Sequence, residues 1–267
     1  MIGFNHLGKM GQLGNQMFQY AATKGIAKKI GADFTIPNHK EVVNDGLGNS
    51  LKIELFDVFS LKLNSYLILN LPSERYIQEK SFDFNLEFFK LDPKKDISLF
   101  GFFQTEKYFK HIESDIRKDF EFQNKYVTEC ADIINDFNNP IALHVRRGDF
   151  LINSDNHANL PLEYYEKALL QFNSNRQVVV FSDDSSWCKK QLIFSGDRFL
   201  ISENNGPYHD LYMMSKCSDF IIANSTFSWW GAWLANTGKV VAPSSWFGPN
   251  NAYKNTKDLY CDGWVIL

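Results

Sequence analysis

The sequence predicts an α/β protein of two domains, each a parallel sheet wrapped by helices. Three observations carry this. From residue 141 onward, short apolar runs alternate with stretches of helical spacing, the pattern of strands buried on both faces. The chain also opens with a strand, a glycine-rich loop, a helix and a second strand. Finally, the apolar run Ile141-Ala142-Leu143 leads straight into His144-Val145-Arg146-Arg147-Gly148-Asp149. That places charge at the carboxyl tip of a buried strand, where open α/β sheets bind their ligands.

Taken in order, residues 2–7 read as a strand, and 8–15 as a loop holding Gly8, Gly11 and Gly14. Residues 16–30 have helical spacing, with Phe18, Ala21, Ala22, Gly25 and Ile26 on one face and Lys28 and Lys29 near the end. Residues 32–36 form a second strand, stopped by Pro37. Residues 38–95 show no steady period, so loops and short helices are expected there. A strand over 97–103 and helices over 107–120 and 127–137 follow. Strands at 141–145, 177–181, 198–201, 220–223 and 240–242 then alternate with helices at 162–172, 185–193, 210–216 and 226–235. The break at Asn138-Asn139-Pro140 divides the chain into domains 1–140 and 141–267, with a cleft between them.

With 267 residues, 44% hydrophobic, the chain can bury one large core or two moderate ones. A net charge of −3 argues against a nucleic-acid surface, which needs a basic face. Cys130, Cys188, Cys217 and Cys261 form no Cys-x-x-Cys pair, so neither a zinc framework nor a disulfide scaffold is expected. No basic segment followed by a long apolar stretch opens the chain. The run 66–71 is too short to span a bilayer. A soluble, cytoplasmic protein is expected, with peripheral contact to the inner membrane through exposed aromatics left open.

Four segments carry chemistry. Strand alternation puts His144 and Arg146 on one face and Arg147 and Asp149 on the other, so Arg146 reads as an anion binder and Arg147 as an ion-pair or positioning residue. A purely structural salt-bridge cluster is the competing reading. Loop 11–16 holds Gly14 and Asn15 at a helix start, where glycine permits close approach and the helix dipole attracts anions, or where a plain tight turn with an Asn cap sits. Ser182-Asp183-Asp184 follows a strand. One carboxylate there caps the next helix and the other binds ligand, the residues themselves not saying which. Asn224, Ser225, Thr226 and Ser228 surround the start of a helix whose first-turn N–H groups suit phosphate oxygens. Trp229 and Trp233, four apart, read as core packing. No Asp-x-Asp and no ligand-like histidine pair occurs, so no metal site is expected.

Together, Gly11-x-Leu13-Gly14-Asn15-Gln16-Met17-Phe18-Gln19-Tyr20-Ala21, the His144–Asp149 segment, Phe181-Ser182-Asp183-Asp184 and Asn224-Ser225-Thr226-Phe227-Ser228-Trp229-Trp230-Gly231 closely resemble the galactoside α-1,2-fucosyltransferases of glycosyltransferase family 11. The resemblance runs from Gly11 to about Gly231. It implies a GT-B-like fold of two Rossmann-type domains, GDP-L-fucose as donor, a galactose-terminated glycan as acceptor, inversion at the anomeric carbon, and no obligate metal or other cofactor. It further implies that Arg146 stabilises the departing β-phosphate, that His144 lies near the guanosine, and that Asp184 holds the guanine edge. Ser225, Thr226 and Ser228 would line the diphosphate, and Asn15 would approach it from the other domain. The segment His6-Leu7-Gly8-Lys9-Met10-Gly11 departs from the compact Gly-Gly more usual in that family.

Inversion calls for a group to take the acceptor hydroxyl proton. Asp149 and Asp155 are the candidates, with His157 a weaker third. Two other classes stay in view. A nucleotide-dependent oxidoreductase is disfavoured because no Gly-x-Gly-x-x-Gly follows the first strand. A non-catalytic glycan-binding module leaves Arg146, Arg147 and Asp184 without a purpose. Fucosyl transfer in another linkage is the third alternative.

Overall fold

The computed structural model describes residues 1–63 and 65–267, which form two compact units. The first comprises Met1–Phe122 with Lys254–Cys261. The second comprises Gln123–Tyr253 with Asp262–Leu267. The division expected at 138–140 falls instead after Phe122. Helices Asn124–Glu129 and Ala131–Asn135 belong with the second unit, where the Tyr126 ring meets Tyr208 and His209 of helix Pro207–Met214 edge-on, and where His209 bonds Glu129 at 2.6 Å.

The first unit is built on four parallel strands, β1 (Ile2–Gly3), β2 (Phe34–Thr35), β3 (Tyr76–Gln78) and β4 (Ile97–Phe100), in the order β2-β1-β4-β3. Helix Leu13–Ile30 buries Met17, Phe18, Tyr20, Ala21, Ala22 and Ile26. Gly25 is required there, because a Cβ would stand 2.2 Å from the Tyr108 carbonyl. Gly31, at φ +73°, ends the helix after Lys28 and Lys29. The strands expected over 2–7, 32–36 and 97–103 shorten to β1, β2 and β4, and two further expectations change. Strand β3 lies in the stretch read as loops and short helices. The helix expected over 107–120 is broken into 3₁₀ turns Glu106–Tyr108 and Lys110–Ile112 before helix Glu113–Asp119, at the fully buried Phe109, which leaves helical geometry at φ −135°, ψ 1°.

The second unit holds six parallel strands, β5 (Ile141–Val145), β6 (Val178–Ser182), β7 (Phe199–Ile201), β8 (Asp219–Ile221), β9 (Val240–Ala242) and β10 (Val265–Ile266). Their order is β10-β9-β8-β5-β6-β7. All five residues of β5 are buried. Helix Leu162–Leu169 covers one face with Tyr164, Tyr165 and Ala168, and the Tyr164 hydroxyl donates to the Ile222 carbonyl at 2.7 Å. Helix Thr226–Ala235 buries Trp229, Trp230 and Trp233, with Trp229 and Trp233 stacked at 6.4 Å as core. The chain leaves β5 towards β6 and β7, then returns to place β8 on β5's other side. The gap between the carboxyl ends of β5 and β8 is therefore the topological switch point. Among the described residues, no helix is long and apolar enough to cross a membrane.

Candidate active site

The switch point gathers the segments leaving β5, β6 and β8. His144, near the tip of β5, is 5% exposed, and its Nδ1 lies 2.9 Å from Ser228 Oγ. Burial, with a smaller push from the Arg146 charge, lowers its pKa to about 3, so the imidazole is neutral at physiological pH. Ser228 is itself fully buried, and its hydroxyl also reaches the Ser225 carbonyl at 3.3 Å. It holds His144 and is no open lining residue, a correction to the role expected for it.

Arg146 is gripped from two sides. Nη2 donates to Asp149 Oδ1 at 2.6 Å and Nη1 pairs with Asp183 Oδ2 at 3.0 Å. Its Nε is buried with no partner, a donor left stranded in a group that never loses its charge. The guanidinium lies 5.2 Å from the Phe150 ring centre, and Phe150 stacks on His157 at 4.1 Å. Gly148 makes room for this arrangement, since a Cβ there would stand 2.5 Å from Asp183 Oδ2. Helix Gly148–Ile152, which carries Asp149 and Phe150, had no counterpart in the expected elements.

Arg147 is used differently. Its backbone N–H donates to Asp183 Oδ1 at 2.9 Å, its Nε donates to Asp184 Oδ2 at 3.1 Å, and its guanidinium lies 3.9 Å over the Trp187 ring. Asp184 Oδ1 meanwhile accepts the Trp187 N–H at 3.0 Å and caps helix Ser185–Cys188. The capping carboxylate is thus Asp184, and Asp183 is the one turned to Arg146. The Ser182 hydroxyl fixes the alternation by accepting the Asp184 N–H at 3.0 Å.

After β8, Asn224 donates through Nδ2 to the carbonyls of Ala158 and Trp246 at 2.8 and 3.0 Å, tying two loops together, while its buried Oδ1 has no partner. Ser225 caps helix Thr226–Ala235 through the Phe227 N–H, and Thr226, half-buried, opens the first turn. Asp155 lies exposed in the loop before His157. Among the described residues, no three His, Cys, Asp or Glu side chains are grouped to hold a metal ion.

Gly14 and Asn15 belong to the first unit, in the opening turn of helix Leu13–Ile30. That helix start is occupied by a residue the sequence did not flag. Glu54 Oε2 accepts the Leu13 N–H at 3.0 Å, while Gln16 Oε1 accepts the Glu54 N–H at 2.9 Å. Burial raises the Glu54 pKa to about 7. Asn15 makes no cap; its Oδ1 accepts from Gln104 Nε2 at 2.8 Å.

A neutral buried histidine, a doubly tethered arginine and a serine-capped helix thus stand at the switch point of a parallel sheet, where open α/β sheets bind ligands, and the fold is GT-B-like. The fold resembles that of an α-1,6-fucosyltransferase, NodZ, soaked with GDP-fucose (TM-score 0.56, 12% identity, 91% of this chain and 94% of that one). It also resembles POFUT1 in complex with GDP (TM-score 0.54, 13% identity, 88% and 94%). The chain belongs to glycosyl transferase family 11, whose model matches residues 1–267. It is 32% identical to an alpha-1,2-colitosyltransferase of Escherichia coli, over 96% of each chain. It is 30% identical to the O-antigen biosynthesis glycosyltransferase WbnK of the same species, over 96% of this chain and 98% of that one. Against a galactoside 2-alpha-L-fucosyltransferase, Sec1, of Mus musculus it is 24% identical, over 96% of this chain and 71% of that one.

Proposed function

We propose that this protein is an inverting transferase that moves L-fucose from GDP-β-L-fucose to the 2-hydroxyl of a terminal β-galactoside in a glycan. The acceptor oxygen attacks the anomeric carbon as its bond to the β-phosphate oxygen breaks. The bonding electron pair leaves with GDP, and the hydroxyl proton passes to a carboxylate, Asp149 or Asp155. The observation that carries this reading is the half-buried Arg146 guanidinium at the switch point, a fixed charge oriented by Asp149 and Asp183. Such a preorganised cation stabilises the departing diphosphate without reorganising as charge develops, so the reaction needs no metal. The first-turn N–H groups at Thr226 and the Ser225 hydroxyl support the same diphosphate. The four cysteines are free thiols, and we place the reaction in the cytoplasm, with peripheral membrane contact as an option for a membrane-borne acceptor.

A second reading follows from the name of the 32% identical relative: the donor sugar is colitose, the 3-deoxy counterpart of fucose. Both readings are tested by incubating the protein with GDP-fucose or GDP-colitose and a panel of β-galactosides in EDTA, with product linkage read by NMR. Fucosylated product at O2 supports the first reading. Turnover of GDP-colitose alone selects the second, transfer to another hydroxyl overturns the linkage, and turnover or GDP binding only after Mg²⁺ or Mn²⁺ replaces the arginine account.

A further inference from the structure

We propose that His157 is a positioning residue for the transfer, its imidazole backing the Phe150 ring against which the Arg146 guanidinium lies. This deepens the reading above and rests on it, and every residue involved belongs to the second unit.

Asp149 and Asp183 hold Arg146 through Nη2 and Nη1, at 2.6 and 3.0 Å. The N–H bonds of a guanidinium lie in its plane, so two such anchors fix directions within that plane. They oppose displacement along the normal least, and a ring face is what opposes it. Phe150 supplies that face, its centre 5.2 Å from the guanidinium carbon. Yet Phe150 stands on helix Gly148–Ile152, five residues long and without a side-chain cap at its start. So short a helix does not hold its own place. His157 seats the ring, stacked on it at 4.1 Å with the two planes 12° apart.

His157 is itself fixed by a clasp between two loops. It pairs with Phe247 as an antiparallel bridge, and its N–H donates to the Asn153 carbonyl at 3.0 Å. On one side of that bridge, the Asn156 carbonyl accepts the Gly248 N–H at 3.0 Å and the Asp155 carbonyl the Asn250 N–H at 2.8 Å. Gly248 is needed for this approach, because a Cβ there would stand 2.3 Å from the Ser154 carbonyl oxygen. On the other side, the Asn224 amide takes the carbonyls of Ala158 and Trp246 together, at 2.8 and 3.0 Å. Asn224 is 3% exposed, and its Oδ1 is left buried without a partner, a cost that an unclasped loop would not carry. What the clasp holds at a fixed level is the imidazole against Phe150.

A ring stacked for support works with any flat ring, whereas a proton acceptor has to be an imidazole. The test therefore compares His157→Ala with His157→Phe, and places His157→Ala in an Arg146→Lys background. It measures kcat and KM with whichever of GDP-fucose and GDP-colitose the wild type turns over, and thermal midpoints in parallel. We expect His157→Ala to lower kcat about tenfold, with the acceptor KM near wild type and the midpoint within a few degrees. His157→Phe should recover most of that loss. In the Arg146→Lys background His157→Ala should add little, because the planar fork it supports is already gone. Wild-type kcat in His157→Ala, even with a lowered midpoint, makes the stack a stability contact and overturns the proposal. A loss in His157→Phe as large as in His157→Ala overturns it in favour of proton transfer, and a full tenfold loss in the Arg146→Lys background shows that His157 does not act through Arg146. All three leave the transferase reading intact; a wild-type chain that turns over neither sugar nucleotide removes both.

Discussion

Arg146 Nη1 lies 3.0 Å from Asp183 Oδ2, so the carboxylate that follows one strand holds the guanidinium that follows its parallel neighbour. Each of the three ion pairs made by Arg146 and Arg147 fixes a direction as well as a charge. Arg146→Lys keeps the charge but loses the planar fork that reaches Asp149 and Asp183 together. It is expected to lower kcat by about 100-fold, the scale of removing one oxyanion-type donor. Arg147→Lys loses instead the stack on Trp187 and the bond to Asp184, and its effect falls on stability, at about 0.5–1 kcal/mol for a partly exposed cation–π contact. Steady-state kinetics and melting curves on the two variants check this; the reverse pattern would mean that Arg147 faces the diphosphate.

The two neighbouring aspartates separate in the same way. Asp184→Ala removes the helix cap and is expected to cost about 1 kcal/mol of stability. Asp183→Ala releases both an Arg146 nitrogen and the Arg147 N–H, so its larger effect is on kcat. Thermal melting and turnover, measured on both, distinguish cap from arginine anchor.

Much of the second unit was legible because its strands are continuous apolar runs. Strand Ile141–Val145, helix Thr226–Ala235 and strand Val240–Ala242 have the bounds that the pattern predicts. Strand Tyr76–Gln78 was not legible: three residues, none fully buried, carry no period to detect. Helix 107–120 failed at Phe109, whose backbone leaves helical geometry while its ring is fully buried, a tertiary demand that the helical period does not record. The site residues were legible by type and not by partner. Either aspartate caps equally well in isolation, and only the position of Arg146 one strand away decides between them. Glu54 gave no signal, since it reaches the Leu13 N–H from 41 residues further along the chain.

Two buried groups give stability opposite slopes with pH. His144 is held at a pKa of about 3 against 6.5 for the free side chain. Between those values the unfolded chain binds more protons, so stability falls as the pH drops below about 6.5. His144→Gln is expected to soften that acid loss, measured as the change in thermal midpoint between pH 7 and pH 5. Glu54 is raised from 4.5 to about 7. In that window the folded chain holds the extra proton, so its contribution declines as the pH rises. Glu54→Gln keeps an oxygen for the Leu13 N–H, and should gain stability relative to wild type on going from pH 5 to pH 8. A constant difference between the two across that range would show that the carboxylate stays charged throughout.

Gly148 isolates the Arg146–Asp183 contact without touching either residue. Its backbone is not in the left-handed region, so alanine introduces no strain of its own there. The added Cβ meets Asp183 Oδ2 at 2.5 Å, and the short aspartate side chain has to swing away. That movement breaks the 3.0 Å pairing with Arg146 Nη1 while Asp149 still holds Nη2. Gly148→Ala is therefore expected to lower kcat by about tenfold, since a guanidinium displaced by a fraction of an ångström stabilises the departing phosphate less well. The thermal midpoint should stay near wild type, or rise slightly, because alanine favours the helix Gly148–Ile152 over glycine. Combining Gly148→Ala with Asp183→Ala removes the clash, and the pair should then be no slower than Asp183→Ala alone. A double variant slower than that would place the effect of Gly148 in the backbone approach of a ligand and not in the aspartate.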